Sequence, residues 1–457
     1  RKDKMKFLDK KLTQETLKLA LPVMLTQVGQ VSVNLFDNII VGKLLGAKAL
    51  ASVSLGNAIF FSIFIFGLGF SLAIPPLVSE AHSQHNHDRI NSVFRHGFVV
   101  NLTVGIILVG LIFGFIPFLP HLGQPKEILP DTVTFLSIVT LSIIPFMMFQ
   151  TMREVSEGLS YTIGVTKATI FANVINIILN YIFIKTFSWG VAGSAWATFI
   201  ARICMLIFLY YVLVKEERTR RYIKEFSLKL SLFSKEIFEK LIRLGFPTAL
   251  QLFFEVTAFA GAAFICGLIS AKDIASHQIA LSMASFTFNL CVGFSVASTV
   301  MIGRKLGEKD FVNLEKVGFN NLKIAFLFML MCGIFFILGR NILPTFFTKK
   351  EDIEVIKLAS KLMIIAALFQ LSDGIQVTAL GCLRGIQDVK IPSILTFIAY
   401  WVITIPLGYY LCFVLKMGAF GMWIALGIGL TISAILLVLR FKELSDRKIK
   451  QNLIKKS

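Results

Sequence analysis

The sequence predicts an all-α integral membrane protein of about twelve transmembrane helices in two pseudo-symmetric six-helix lobes. Three observations carry that expectation. The 457 residues are 56% hydrophobic and only 16% charged, with a mean hydropathy of +0.76, outside the range of soluble domains. Apolar windows of about 20 residues, the length that crosses roughly 30 Å of hydrocarbon, recur about a dozen times. The second half of the chain also echoes the first at a nearly constant offset.

The windows centre near Val28, Phe64, Ile107, Leu141, Ile175, Phe199, Val256, Phe288, Phe328, Phe369, Ile403 and Leu430. Pro22, Pro75, Pro76, Pro145, Pro247 and Pro406 fall within them. Membrane helices tolerate proline because neighbours, water or local adjustment satisfy the freed carbonyls. Before the first window stands "RKDKMKFLDKK". The helix that follows is long, polar on one face and lacks a small-residue cleavage site, so the basic head reads as a topology signal and not as a cleavable signal peptide. With the amino terminus inside, roughly 34 of the 46 Lys and Arg lie on cytoplasmic segments, about 11 lie outside and Arg202 lies within a span. Both termini are then expected in the cytoplasm.

The net charge of +19 gathers at the head, at residues 215–240 and at the tail "RFKELSDRKIKQNLIKKS". These stretches flank spans, where Lys and Arg meet anionic headgroups of the lipid bilayer, and no soluble module accompanies them. The charge sets orientation, and no nucleic-acid partner is expected. All six Cys (204, 266, 291, 332, 382, 412) stand singly in apolar segments without a Cys-x-x-Cys pair, which indicates neither a disulfide framework nor a thiolate metal site. The cluster "HSQHNH" places His82, His85 and His87 together, and a solvated cytoplasmic turn accounts for it without a metal.

The repeat aligns "LALPVMLTQVGQ" from 19 with "LGFPTALQLFFE" from 244, Pro22 with Pro247, Gly42 with Gly267, and "GLGFS" with "CVGFS". It divides the chain into an amino-terminal lobe (1–214), a basic cytoplasmic linker (215–240), a carboxy-terminal lobe (241–442) and a basic tail (443–457). An even number of spans per copy gives both copies the same orientation, a plan that predicts transport by alternating access.

Polar residues inside a span are costly in lipid and face a bundle interior or a wet cavity. Gln27, Gln30, Asn34 and Asp37 or Asn38 make one helical face in the first span. Asn173, Asn176 and Asn180 do so in the fifth, Gln251 and Glu255 in the seventh, and Gln370, Asp373 and Gln376 in the tenth. Amides can glue helices together, and Gln27, Asn173 and Gln278 read that way. Carboxylates are different, because a neutral amide would serve as glue without an ionisation liability. Asp37, Glu255 and Asp373 are therefore the functional candidates. The repeat does not duplicate them, since Gln30 stands opposite Glu255. Should the seventh and tenth spans be neighbours, Glu255 and Asp373 cannot both stay charged in low dielectric without a counter-ion, so the pair would take a proton or a monovalent cation.

The stretches "PVMLTQVGQVSVNLFDNIIVGKLLGAKALASVSLGN", "GLGFS", "NVINIILNYIFI" and "GVAGSAWAT" in the first half carry a resemblance, together with "GFPTALQLFFEVTAF" and "FQLSDGIQVTALGCLRGIQDVKIP" in the second. Taken together, the chain resembles the multidrug and toxic compound extrusion (MATE) transporters, NorM-like branch, over essentially its whole length. The resemblance implies export of lipophilic organic cations in exchange for Na⁺ or H⁺, with no other cofactor, by a monomer in the plasma membrane (the bacterial inner membrane). It implies a cation site of Glu255 and Asp373, and another at Asp37 with Asn176, Asn180 and Thr198 as oxygen ligands. Some relatives have an acid at the position of Asn180 and a Tyr at that of Phe369, which weakens the case for tight Na⁺ binding in the first half and removes a hydroxyl from the second.

Phe253, Phe254, Phe259 and Phe369 lie on the helices that carry the acids, and aromatic faces attract flat cations by about 0.5 to 2 kcal/mol. With Gln251, Gln376 and Asn34 they are the candidates for substrate contact. Arg202 is expected to pair with a carboxylate or carbonyls, and Arg153, near Glu154 and Glu157, to meet a headgroup or form a salt bridge. Two other classes differ from this pattern. A lipid-linked oligosaccharide flippase of the same broad superfamily would line its cavity with cations for a diphosphate, whereas the stripes here are acids and amides. An intramembrane enzyme would need a nucleophile and base pair or a metal motif, and no His-Glu-x-x-His occurs.

Overall fold

The structure is a computed structural model that describes residues 7–348 and 351–456. The first six residues of the basic head and the last residue of the tail lie outside them. Among the described residues, eleven helices are long and apolar enough to cross a membrane: α1 (Lys10–Leu45), α2 (Ala47–Ser83), α3 (His87–Leu122), α5 (Ile163–Thr186), α6 (Gly190–Lys215), α7 (Lys235–Ile269), α8 (Ala271–Gly307), α9 (Phe311–Gly339), α10 (Ile353–Gly385), α11 (Lys390–Val414) and α12 (Gly418–Ile454). A further pair of helices, Leu129–Leu141 and Ile143–Gly158, together α4, is bent by 41° and makes up to twelve spans when counted as one. The fourth apolar window centres on Leu141, at that bend. Long apolar side chains such as Ile207, Phe264 and Leu338 stay uncovered, as expected where lipid and not water is the solvent.

Local signals set the helix ends. Asn86, Ser270 and Asp310 each accept a hydrogen bond from the backbone N–H three residues on, capping α3, α8 and α9. Left-handed residues end or open other helices, and eight of the ten among the described residues fall in four pairs along the chain. His85 (φ 54°) matches Lys309 (57°), Ser160 (64°) matches Gln387 (69°), Ser188 (55°) matches Lys416 (54°), and Gly190 (60°) matches Gly418 (62°), at offsets of about 224 to 228 residues. Two π-helical stretches, Ile182–Thr186 and Tyr410–Val414, obey the same spacing. The backbone therefore repeats more faithfully than the side chains do.

Two compact units form, and their division falls inside helices. One unit comprises Leu25–Ala249, the other Arg1–Met24 with Leu250–Ser457. The breaks lie at repeat-related points of α1 and α7, just after Pro22 and Pro247. In the discontinuous unit, Thr16 Oγ1 donates to Asn321 Oδ1 at 2.6 Å, and a Cβ added to Gly293 would lie 2.7 Å from the Ala20 carbonyl oxygen. In the continuous unit a Cβ on Gly69 would lie 2.3 Å from Ala249 Cα. Such backbone approaches explain why the first turns of α1 and α7 are held where they are. The core of the continuous unit runs through Phe60, Phe64, Phe135 and Met147. The core of the other has one cluster around Phe294, Met301 and Phe441 and a second around Phe336, Tyr400 and Trp423.

The basic stretch after α6 is ordered along one face of α3. His87 Nδ1 and Tyr222 Oη are 2.8 Å apart, Asn91 Nδ2 donates to Glu225 Oε2 at 2.8 Å, and Arg95 Nε donates to the Ser227 carbonyl at 2.5 Å. The Ser234 N–H donates to His96 Nε2 at 2.8 Å. His87 thus has a protein partner, and His85 occupies the left-handed position of the turn.

Candidate cation and substrate sites

Two polar groups form, one in each unit. In the discontinuous unit, α7 presents Gln251 and Glu255 one turn apart, and the Gln251 Nε2 donates to Glu255 Oε2 at 3.1 Å. Both are buried. Asp373, on α10, is also buried, and the charge of Glu255 reaches it. Two buried carboxylates within electrostatic range of each other repel. Arg384, at the end of α10, adds one positive charge within range of Glu255.

Tyr400 completes this group. It sits in the π-helical stretch Ile398–Thr404 of α11, fully buried, and its hydroxyl donates to Gln376 Oε1 at 3.0 Å. The extra residue in a π turn re-aims side chains, a device frequent at functional sites. Tyr400 lies within electrostatic range of both Glu255 and Asp373. Nothing in the sequence singles it out, because a tyrosine in "FIAYWVITIP" counts as one more aromatic in an apolar run. Among the described residues, buried Gln370 finds no partner for either amide atom, and Gln376 Nε2 finds none. The carboxylates of Glu255 and Asp373 are hard oxygen donors, the kind that suits a monovalent cation or a proton.

The aromatic candidates divide. Phe259 packs near Tyr400, with ring centroids 5.8 Å apart, and meets Phe369 edge-on at 6.2 Å. Phe369 is itself buried against Trp423 at 5.4 Å, so it belongs to the core cluster. Phe254 packs on Phe397 at 4.8 Å, next to Phe253, and its carbonyl accepts from Trp401 Nε1 at 3.1 Å. Asn34 is exposed on α1, in the continuous unit, and so belongs to a different unit from the other substrate candidates.

In the continuous unit, Asn180 Nδ2 donates to Asp37 Oδ1 at 2.6 Å and to Asn176 Oδ1 at 2.9 Å, and Asn176 Nδ2 donates to Thr198 Oγ1 at 3.4 Å. The four side chains expected together are in contact. Asn173, one turn before, donates to the Gly29 carbonyl at 2.8 Å and ties α5 to α1 as helix glue. Among the described residues, no hydrogen bond joins Arg202 to a carboxylate or a carbonyl. Its Nη1 donates to Ser142 Oγ at 2.6 Å, because the bend of α4 brings that hydroxyl to it. Arg153 is buried and bonded through Nε to Glu157 Oε1 at 2.8 Å, a salt bridge in place of a headgroup contact.

Eleven long apolar helices with one further bent pair, a repeated backbone and buried oxygen clusters on packed helices are the features of a multi-pass membrane transporter. The MatE family model matches residues 22–182 and 247–410, one copy in each repeat. The chain belongs to the MatE family and is NorM-like within it. It is 32% identical to a probable multidrug resistance protein NorM of Agrobacterium fabrum over 95% of this chain and 94% of that protein. It is 31% identical to the multidrug resistance protein MdtK of Yersinia pseudotuberculosis over 94% of this chain and 95% of that one. Among solved structures, an outward-facing multidrug resistance MATE transporter of the MOP superfamily superposes with a TM-score of 0.87 at 21% identity, covering 96% of each chain. A MOP superfamily transporter from Pyrococcus furiosus, described as having a binding pocket of reverse polarity, gives 0.88 at 21% identity, also over 96% of each chain. The shared fold therefore leaves substrate polarity to the side chains.

Proposed function

We propose that this protein exports lipophilic organic cations by alternating access, in antiport with Na⁺ or H⁺ bound at Glu255 and Asp373. The observation that carries the reading is the pair of buried carboxylates on α7 and α10, within range of each other and of Tyr400, with Gln251 bonded to one of them. A cation or proton relieves the repulsion between the acids, and its departure restores it. Binding can bias a conformational equilibrium only by its difference in affinity between states, so the acids are placed to couple the cycle and not to hold the fold. Acids and amides, not cations, dominate the polar residues here, which favours a cationic substrate over a diphosphate-bearing lipid.

The test is ethidium or norfloxacin efflux from cells expressing Glu255→Gln or Asp373→Asn, together with transport into liposomes under an imposed Na⁺ or pH gradient, one at a time. Efflux should fall to background at normal expression, and one gradient should drive uptake in the wild type. Wild-type efflux by both variants would overturn the assignment.

A further inference from the structure

The stretch that joins α6 to α7 turns its leucines outward. Leu228, Leu230 and Leu232 are 50, 90 and 43% exposed, and Leu230 is the most exposed large apolar side chain among the described residues, those on the spans included. Their outward aim is fixed from beneath. Arg95 of α3 donates through Nε to the Ser227 carbonyl at 2.5 Å and through Nη1 to the Leu232 carbonyl at 3.2 Å, so one guanidinium clamps both ends of the loop. A 3₁₀ turn, Leu230–Leu232, closes it. Aromatic rings take the inward places on either side: Phe226 packs on Phe94 and Phe98, with centroids 4.7 and 5.3 Å apart, and Phe233 meets His96 at 5.1 Å and Phe238 at 5.7 Å. The leucines cannot fold under without displacing them.

The place of the loop along α3 says which solvent it meets. The stretch advances along that helix from Tyr222 at His87, through Glu225 at Asn91, to Ser234 at His96. Beyond His96, residues 97–115 carry no charge, so the loop stands where the polar start of α3 gives way to its apolar run. That is the level where headgroups meet acyl chains. Residues 215–243 hold nine Lys and Arg against five Glu, and Arg221 is paired with Glu225 and Lys235 with Glu239. Lys224 and Lys229, both exposed, enter no ion pair among the described residues.

Three leucines held out into water gain nothing, whereas at a lipid interface they bury their surface beside anionic phosphates that attract the lysines. We propose that residues 228–232 form an interfacial anchor. Leu228, Leu230 and Leu232 insert among the acyl chains of the leaflet at that end of the spans, and Lys224 and Lys229 bind anionic headgroups above them. A topology signal needs only the charge; the clamped leucines are what it does not need. The anchor holds the start of α7 at the membrane surface, and it is independent of the coupling reading at Glu255 and Asp373.

The test places a bimane label at Leu230→Cys and, as reference, at the exposed Glu217→Cys, in the full chain with its six native Cys changed to Ser. Nanodiscs of phosphatidylcholine, alone or with about one quarter phosphatidylglycerol, leave both faces open to solvent. The label at 230 should be quenched by a nitroxide near the top of the lipid acyl chain and shielded from aqueous iodide, with the reverse at 217. Phosphatidylglycerol should strengthen the lipid quenching at 230, and Lys224→Gln with Lys229→Gln should abolish that gain. Iodide quenching at 230 equal to that at 217 in both lipids would overturn the proposal. Shielding from both quenchers would put another protein surface over the loop and overturn it too, and lipid quenching indifferent to phosphatidylglycerol would remove the lysines from it. If the Ser-substituted chain does not fold, amide hydrogen exchange on the wild type decides. Residues 228–232 should exchange more slowly with phosphatidylglycerol than without, and equal rates would refute the anchor.

Discussion

The phenol of Tyr400, on a π-helical turn of α11, donates its proton to Gln376 Oε1 on α10 at 3.0 Å, while Gln376 Nε2 has no partner among the described residues. That one bond ties the helix bearing Asp373 to a helix that bears no acid. Removing it leaves a buried amide oxygen unsatisfied, at a cost of about 1 to 3 kcal/mol.

Tyr400→Phe should therefore raise the coupling-cation concentration for half-maximal efflux by roughly tenfold, the equivalent of about 1.4 kcal/mol. Tyr409→Phe, on an exposed ring, serves as the control. Efflux would be followed in proteoliposomes over a range of external Na⁺ and pH. An unchanged half-saturation in Tyr400→Phe would remove the phenol from the site.

Helix contacts give a second prediction. A Cβ on Gly381 of α10 would come 2.4 Å from the Ser295 carbonyl oxygen of α8, and Thr299 Oγ1 donates to the Gly381 carbonyl at 2.9 Å across the same seam. Backbone atoms cannot give way as a flexible side chain can. Gly381→Ala should cost about 1 to 3 kcal/mol through overpacking, seen as a fall in the melting temperature in detergent. Gly110→Ala on α3, where a Cβ meets nothing within 4 Å, should be neutral or stabilising. Equal melting temperatures for the two variants would contradict this packing.

How much of this was legible beforehand follows from the solvent. Lipid penalises every unpaired polar group, so the spans, the repeat and the acids Glu255, Asp373 and Asp37 stand out against an apolar background. Tyr400 did not stand out, because its ring is apolar and only the turn of α11 aims the hydroxyl. The partner of Arg202 was hidden for a related reason: Ser142 is an ordinary small residue until the bend of α4 exposes its lone pairs. The mid-helix divisions at Met24 and Ala249 depend on contacts such as Thr16 with Asn321, more than 300 residues apart, which no local pattern encodes.

The buried ion pair at the end of α4 gives a third prediction. Arg153 is bonded to Glu157, and Glu154 is buried beside it. Arg153→Leu strands the Glu157 carboxylate and should destabilise by about 3 to 5 kcal/mol. Replacing both partners, Arg153→Leu with Glu157→Leu, should recover much of that loss, because breaking a buried pair costs more than omitting it. Melting curves of the two variants would settle the point, and a double variant no more stable than the single would refute it.

The last prediction concerns the ordered stretch after α6. Asn91's amide, bonded to Glu225 Oε2, holds that carboxyl below its usual range, with Arg221 at 3.0 Å acting in the same direction. A carboxyl whose folded value is depressed contributes to docking above its unfolded value, about 4.3, and loses that contribution as pH falls through the lowered one. The stretch should stay docked on α3 at neutral pH and loosen only in acid. A spin label at the exposed Lys229 would report this as a sharpening spectrum on titration from pH 6 to about 3. In Asn91→Leu the same transition should move upward in pH, toward the ordinary carboxyl value. A midpoint indifferent to Asn91 would show that the stretch is held by its other contacts, Arg95 to Ser227 and Ser234 to His96, and not by Glu225.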